Sequence, residues 1–242
     1  MKGVVFTFDD DLLSHATVVA PVFEKYKQRC TFFLNVNPHL RVFGSPSLEE
    51  EQIISLYKKG FEIGNHTHSH ALSSNCDVSI FSQELELVNA KLQSLGVCRS
   101  ETFAYPGYVS SSKIEEALRI FKLARGGYAL AETPEELDNE RDNFPDGWER
   151  EVKNYYIPRE TNPLKVLCCG LFCPRYTFEL FLNDLKKCPE DGYCIFTGHL
   201  FHSQEYPDTY HADSVDVSFL EHALKYCVDS NIKILKFKDL PI

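Results

Sequence analysis

The sequence has no apolar run approaching the roughly 20 residues that a membrane span needs. Its first residues, Met1 to Phe8, lead straight into a strand-like stretch with no charged-then-apolar leader. The chain therefore reads as soluble and cytoplasmic, although a trimmed leader would leave the same trace. An excess of positive charge is also missing: 25 Lys and Arg stand against 35 Asp and Glu, a net charge of −10. That balance argues against nucleic acid and anionic membranes as partners and suits a neutral or cationic substrate. No Cys-x-x-Cys pair occurs among the nine cysteines, so a zinc knuckle is excluded. Their odd number and irregular spacing fit thiols in a reducing compartment. Even the crowded Cys168, Cys169 and Cys173 read as small buried hydrophobes. There is no internal repeat and no low-complexity tract.

What remains is an ordinary globular composition, 43% hydrophobic and 25% charged over 242 residues. A chain of this size removes roughly 70 to 75% of its extended surface from water, so any bound metal is functional rather than a structural prop. Short apolar strands alternate with helical patterns, the signature of a mainly parallel α/β architecture. Strands are expected at Gly3–Phe8, Cys30–Val36, Phe61–Gly64, Thr102–Tyr105, Lys122–Arg125, Tyr155–Pro158, Val166–Phe172, Tyr193–Thr197 and Ile232–Phe237. Helices are expected at His15–Lys27, Leu48–Lys59 with Ser47 as its N-cap, Ser79–Leu95, Ser112–Phe121, Tyr176–Lys187 and Val215–Asp229. The acidic stretch 131–154 breaks this rhythm and reads as an inserted loop or lid. Seven or so βα units without a break in composition make residues 1–242 one barrel-like domain.

In such a barrel, chemistry gathers at the carboxyl ends of the strands. One strand here ends in Asp9-Asp10-Asp11, another in His66-Thr67-His68-Ser69-His70, a third in Tyr105-Pro106-Gly107-Tyr108 and a late one in His199. Each signal is weak alone. Together they supply an Asp-His-His set with a spare carboxylate, which suits a catalytic metal with open positions.

Thr7-Phe8-Asp9-Asp10, His66-Thr67-x-x-His70, Tyr105-Pro106 and His199, in that order, resemble the polysaccharide deacetylases, carbohydrate esterase family 4. The resemblance implies a single distorted (β/α)7 barrel and a metal-dependent amide hydrolase that deacetylates an N-acetylated carbohydrate. Asp10, His66 and His70 would hold one divalent metal, zinc or cobalt. Asp9 would be the base that takes a proton from water at the metal, and His199 the acid that protonates the departing amine. Gly107 would offer an oxyanion N–H, Tyr105 and Tyr108 would lie at the substrate, and Thr67 would orient the ligand loop.

Two departures from the family pattern stand out. The third motif often carries an Arg that pairs with the base, and Ala104 stands in its place; Arg125, one strand on, either replaces it or is a surface residue. The family also pairs an Asp with a Trp near the acid His; Trp148 is the only Trp, and the sequence does not choose between Asp142 and Asp146. His202 and His211, with Tyr206 and Tyr210, form a loop suited either to stacking on a sugar or to plain solvation. His68 is a candidate for substrate contact rather than for the metal. His15, His39 and His222 read as structural. Two other readings stay open: a small non-sugar amide as substrate, and a catalytically silent carbohydrate-binding barrel. Phosphoester hydrolysis would call for more basic residues than the motifs carry. Nothing in the sequence sets an oligomeric state.

Overall fold

The computed structural model describes residues 2–40, 42–107, 111–126, 155–156, 166–167, 169–207 and 214–241. The acidic stretch 131–154, with Asp142, Asp146 and Trp148, lies outside the described residues, as do Tyr108, Cys168, Tyr210 and His211.

Twelve short strands are described: β1 (Gly3–Asp9), β2 (Thr31–Leu34), β3 (Glu62–Asn65), β4 (Thr102–Ala104), β5 (Leu123–Arg125), β6 (Tyr155–Tyr156), β7 (Val166–Leu167), β8 (Gly170–Leu171), β9 (Tyr193–Gly198), β10 (Phe201–His202), β11 (Val215–Asp216) and β12 (Lys233–Leu235). The helices are α1 (Ala20–Lys25), α2 (Glu50–Lys58), α3 (Val78–Ser94), α4 (Ile114–Ile120), α5 (Phe178–Lys187) and α6 (Val217–Asp229). No helix among the described residues is long and apolar enough to cross a membrane.

The main sheet runs β9-β1-β2-β3-β4-β5-β7, and each of these neighbours is parallel to the next. The stretch expected as one strand, Val166–Phe172, is two. β7 pairs with β5 at one end of the sheet and β8 pairs with β9 at the other, so adjacent pieces of chain draw the two ends of the curled sheet together. The architecture is α/β with a curled parallel sheet, as a distorted (β/α)7 barrel requires. β12 borders the first half of β1 and β2 its second half.

The two-residue period of β1 sorts its side chains. Val4, Phe6 and Phe8 face the helices, packing with Val19, Phe23, Phe181 and Leu220. Val5 faces inward with Phe33, Ala104, Leu167, Cys169 and Ile195. The inward series continues through Thr7 to Asp9, so a carboxylate ends up inside the barrel where the strand stops.

Two local expectations are corrected. The segment His15–Lys27 is not one α-helix: a π-turn, His15–Val19, precedes α1. Pro21 has no N–H to give the Thr17 carbonyl, and the turn ahead of it widens. Ser47 does not cap α2; its Oγ donates to the Leu40 carbonyl at 2.8 Å. Glu49 is the cap, in a reciprocal box with Gln52.

Candidate active site

The chain leaves β1 through two consecutive residues in the left-handed region, Asp10 (φ 82°) and Asp11 (φ 59°). Thr67 (φ 60°) and His70 (φ 56°) share that conformation after β3. Non-glycine residues held there cost about 1 to 3 kcal/mol each, and such strain gathers at working sites. Here it aims three ligand-type atoms at one point. Asp10 Oδ1 lies 3.3 Å from His66 Nε2 and 3.1 Å from His70 Nε2.

Hydrogen bonds fix this loop. His66 Nδ1 donates to the Ala104 carbonyl at 2.8 Å, leaving the Nε2 lone pair facing Asp10. Asn35 Nδ2 donates to the carbonyls of His66 and Thr67, 2.8 Å each. Thr67 Oγ1 accepts the Ala71 N–H at 2.8 Å, and the Thr67 N–H is held by Asn65 Oδ1 at 3.0 Å. Thr67 thus braces the turn between the two imidazoles.

The electrostatics call for a cation. Asp10 Oδ1 and Asp9 Oδ1 are buried and accept no hydrogen bond among the described residues. Burial pushes the Asp10 carboxyl up, but His66 and His70, when their Nε2 atoms carry protons, outweigh it and hold the group well below the usual carboxylate range. For His66 the same contest runs in reverse: burial disfavours its proton, yet Asp9 and Asp10 draw its pKa upward. One N-donor pair, one carboxylate and an orphaned buried oxygen are a donor set that fits a divalent ion. Asp11, by contrast, is turned away from this cluster. Burial pushes its carboxyl well up, against the Val36 N–H that it accepts.

Behind the ligands, Arg125 reaches inward from β5 and pairs through Nη2 with Asp9 Oδ2. Both side chains are essentially inaccessible, at 2% and 5% exposure, so this is a buried ion pair and not a surface Arg. Ala104, which stands where the third motif often has Arg, is the strand neighbour of Arg125 in the β4–β5 register. The cation has moved one strand over and still reaches the carboxylate. Burial alone would raise the Asp9 pKa; Arg125, with His66 and His199, holds it below the ordinary value. Arg125 Nη1 also donates to Cys169 Sγ and to the Gly126 carbonyl, both at 3.1 Å, and the guanidinium lies over Phe33. Cys169 is buried as expected, but its sulfur has a polar task that its spacing in the sequence does not reveal.

On the far side, His199 follows β9 and its Nε2 is 3.6 Å from Asp10 Oδ2. Phe43 meets the His199 ring edge-on at 5.6 Å. Gly107, at φ 59°, lies against the ligand loop: a Cβ there would be 3.0 Å from Leu72 Cδ2.

Other expected site residues are elsewhere. Tyr105 does not reach the site; its side chain is 2% exposed and packed on Phe103 and Phe81 at 4.6 and 6.0 Å, because the strand alternation turns it toward α3. His202 Nδ1 bonds Ser214 Oγ at 3.0 Å. His68 is not among the converging ligands. His39 is exposed, and His222 packs beside Phe178. His15 is buried, and its Nε2 bonds the main-chain oxygen of His199 at 3.1 Å. Its place at the head of an expected helix carries no sign of that contact.

With this geometry in hand, comparison with known proteins is decisive for the family. The family model for polysaccharide deacetylase matches residues 1–124, which carry Asp9, Asp10, His66 and His70. The chain belongs to the polysaccharide deacetylase family. This is a family of hydrolases that act on carbon–nitrogen bonds. No curated protein matches the sequence. Among solved structures, the chain is similar to the Xyl-CE4 domain of a multidomain xylanase from the hindgut metagenome of Trinervitermes trinervoides. The identity is 13% and the TM-score 0.58, covering 98% of this chain and 87% of that one. It is also similar to a family 4 carbohydrate esterase from Streptomyces lividans (9% identity, TM-score 0.56, 96% and 91% covered). A third likeness is to peptidoglycan deacetylase PdaC from Bacillus subtilis (14% identity, TM-score 0.52, 98% and 88% covered). At these identities the likeness establishes the shared fold, including the second half of the chain that the family model does not reach.

Proposed function

We propose that this polysaccharide deacetylase removes the acetyl group from an N-acetylated carbohydrate, using one divalent metal, zinc or cobalt, held by Asp10, His66 and His70. The observation that carries the reading is the buried Asp9–Arg125 pair beside the Asp-His-His cluster. A pure binding barrel has no use for a carboxylate kept charged at such a place. A divalent ion bound there supplies Lewis acidity, which polarises the acyl carbonyl and lowers the pKa of an adjacent water.

The protein's own groups do the rest. Arg125 keeps Asp9 ionised in spite of its burial, so Asp9 is ready to accept the proton that water gives up as it attacks. The Gly107 N–H is the donor for the developing oxyanion. His199, whose Nε2 lies 3.6 Å from Asp10 Oδ2, protonates the departing amine. Neutral sugars suit the net charge of −10 better than anionic ones do.

The test is metal content together with turnover. After dialysis against zinc, the wild-type protein should hold close to one ion per chain by mass spectrometry, and His66→Ala should lose most of it. Asp9→Asn should keep the ion and lose at least about 100-fold in acetate release from N-acetyl glycans. Near-zero metal in both wild type and His66→Ala would overturn the proposal; full turnover in Asp9→Asn would remove Asp9 as the base, and metal-replete wild type that releases no acetate would favour the silent barrel.

A further inference from the structure

His15 is fully buried, and the mechanism above makes no use of it. Its ring stacks on Phe32 at 5.3 Å and tilts against Phe8 at 6.0 Å, a setting in which an apolar side chain would be at home. Its polar contact there is from Nε2 to the main-chain oxygen of His199, at 3.1 Å. A carbonyl only accepts, so Nε2 carries the hydrogen and Nδ1 is a bare lone pair. That Nδ1 is buried without a donor among the described residues. Leaving such an atom unsatisfied is costly, so keeping an imidazole here makes sense through the bond to His199. Burial also pushes the His15 pKa down to about 4, which keeps the ring neutral and the hydrogen on one nitrogen near neutral pH.

The partner is the residue whose ring must be aimed. His199 lies just past the end of β9, where the ladder no longer constrains the main chain. Its ring must sit between Asp10 Oδ2, 3.6 Å away, and the edge of Phe43, 5.6 Å from centroid to centroid. His15 opens the π-turn, and such turns often mark working sites. We infer that His15 is a positioning residue: its Nε2–H bond to the His199 carbonyl fixes the main chain there and so sets where the His199 ring presents its proton. The inference rests on His199 being the acid.

Leaving groups separate this role from plain support of the fold. N-acetylchitotetraose must have its amine protonated as it departs, whereas 4-nitrophenyl acetate loses a phenolate that needs no proton. His15→Phe should lose about 100-fold in kcat on the amide. Its KM and metal content should stay near those of the wild type, and it should hydrolyse the ester almost normally. His15→Gln, whose amide nitrogen reaches the same place, should recover most of the loss. Equal losses on both substrates, or no loss on either, would overturn the inference. His199→Ala run alongside should show the same amide-selective loss. If it does not, the acid assignment is wrong; if it does and His15→Phe does not, only the role of His15 is wrong. A readout independent of turnover is the 15N NMR spectrum of the holoprotein at pH 7. His15 is expected as the neutral Nε2–H tautomer, and an Nδ1–H tautomer would rule out the bond.

Discussion

Asp9 and Arg125 stand 116 positions apart in sequence and meet in the barrel interior. Each makes the other tolerable: a lone buried charge is costly, and removing one member of such a pair destabilises by about 3 to 5 kcal/mol. Arg125→Met should therefore lower both stability and activity. In thermal melts it should unfold earlier, and its kcat/KM should fall about 100-fold or more while metal content holds, because Asp9 loses the cation that keeps it ionised. Unchanged turnover in Arg125→Met would remove Arg125 from the machinery. This residue was legible from the sequence only as one of two alternatives: Ala104 showed that a cation was missing, and Arg125 ended the next strand. Cys169 and His15 were not legible. Their contacts span 44 and 184 positions, and neither periodicity nor motif spacing encodes a partner at that range.

At the scale of the element, each site residue is delivered by a strand end, and the strands were easy to read because apolar β-branched and aromatic runs alternate with helical patterns. Their edges were harder. Helix α2 takes its cap from Glu49 because a Gln at the third helical position completes the box, a local reciprocity that outranks the ordinary preference for Ser. Tyr105 lay on the right strand end, but the two-residue period turned its ring to the core side. Within β3 the decisive residue is Gly64. A Cβ there would come within 2.3 Å of Phe33 Cδ1 and 3.1 Å of Thr102 Oγ1, so the strand that carries His66 has no room for a side chain between β2 and β4. Gly64→Ala should cost about 1 to 3 kcal/mol in chemical denaturation. It should also weaken zinc retention, because β3 must shift at the residue two before the ligand. A Gly64→Ala protein as stable and as metal-replete as wild type would show that β2 and β3 separate freely here.

Over the whole molecule, the barrel keeps its two ends chemically distinct. At the carboxyl ends of the strands, Asp9 Oδ1, Asp10 Oδ1 and Thr197 Oγ1 are buried and have no hydrogen-bond partner among the described residues. Toward the other end, the buried Glu62 carboxylate accepts from Thr31, Thr102 and the Lys238 N–H, closing the interior with bonds already made. Between the ends and the helices lies His15, through which acid can act on the entire fold. Its pKa is about 4 when folded, against 6.5 for the free side chain, with burial the main cause. Between those values the unfolded chain binds a proton that the folded one refuses. Stability from this group is therefore fully present above pH 6.5 and is lost as pH falls toward 4. A gap of about 2.5 units corresponds to about 3 kcal/mol. Carboxylates titrate near the lower end of the same range, so the measurement is a difference. In unfolding free energies of wild type and His15→Phe, followed by denaturant titration from pH 7.5 to 4, the stability of wild type relative to the variant should fall by about 3 kcal/mol as the pH drops, because the variant lacks that part of the acid sensitivity. Parallel curves across that range would mean that His15 is protonated in the folded protein, or is not buried as described, and its bond to His199 would have to be reconsidered with it.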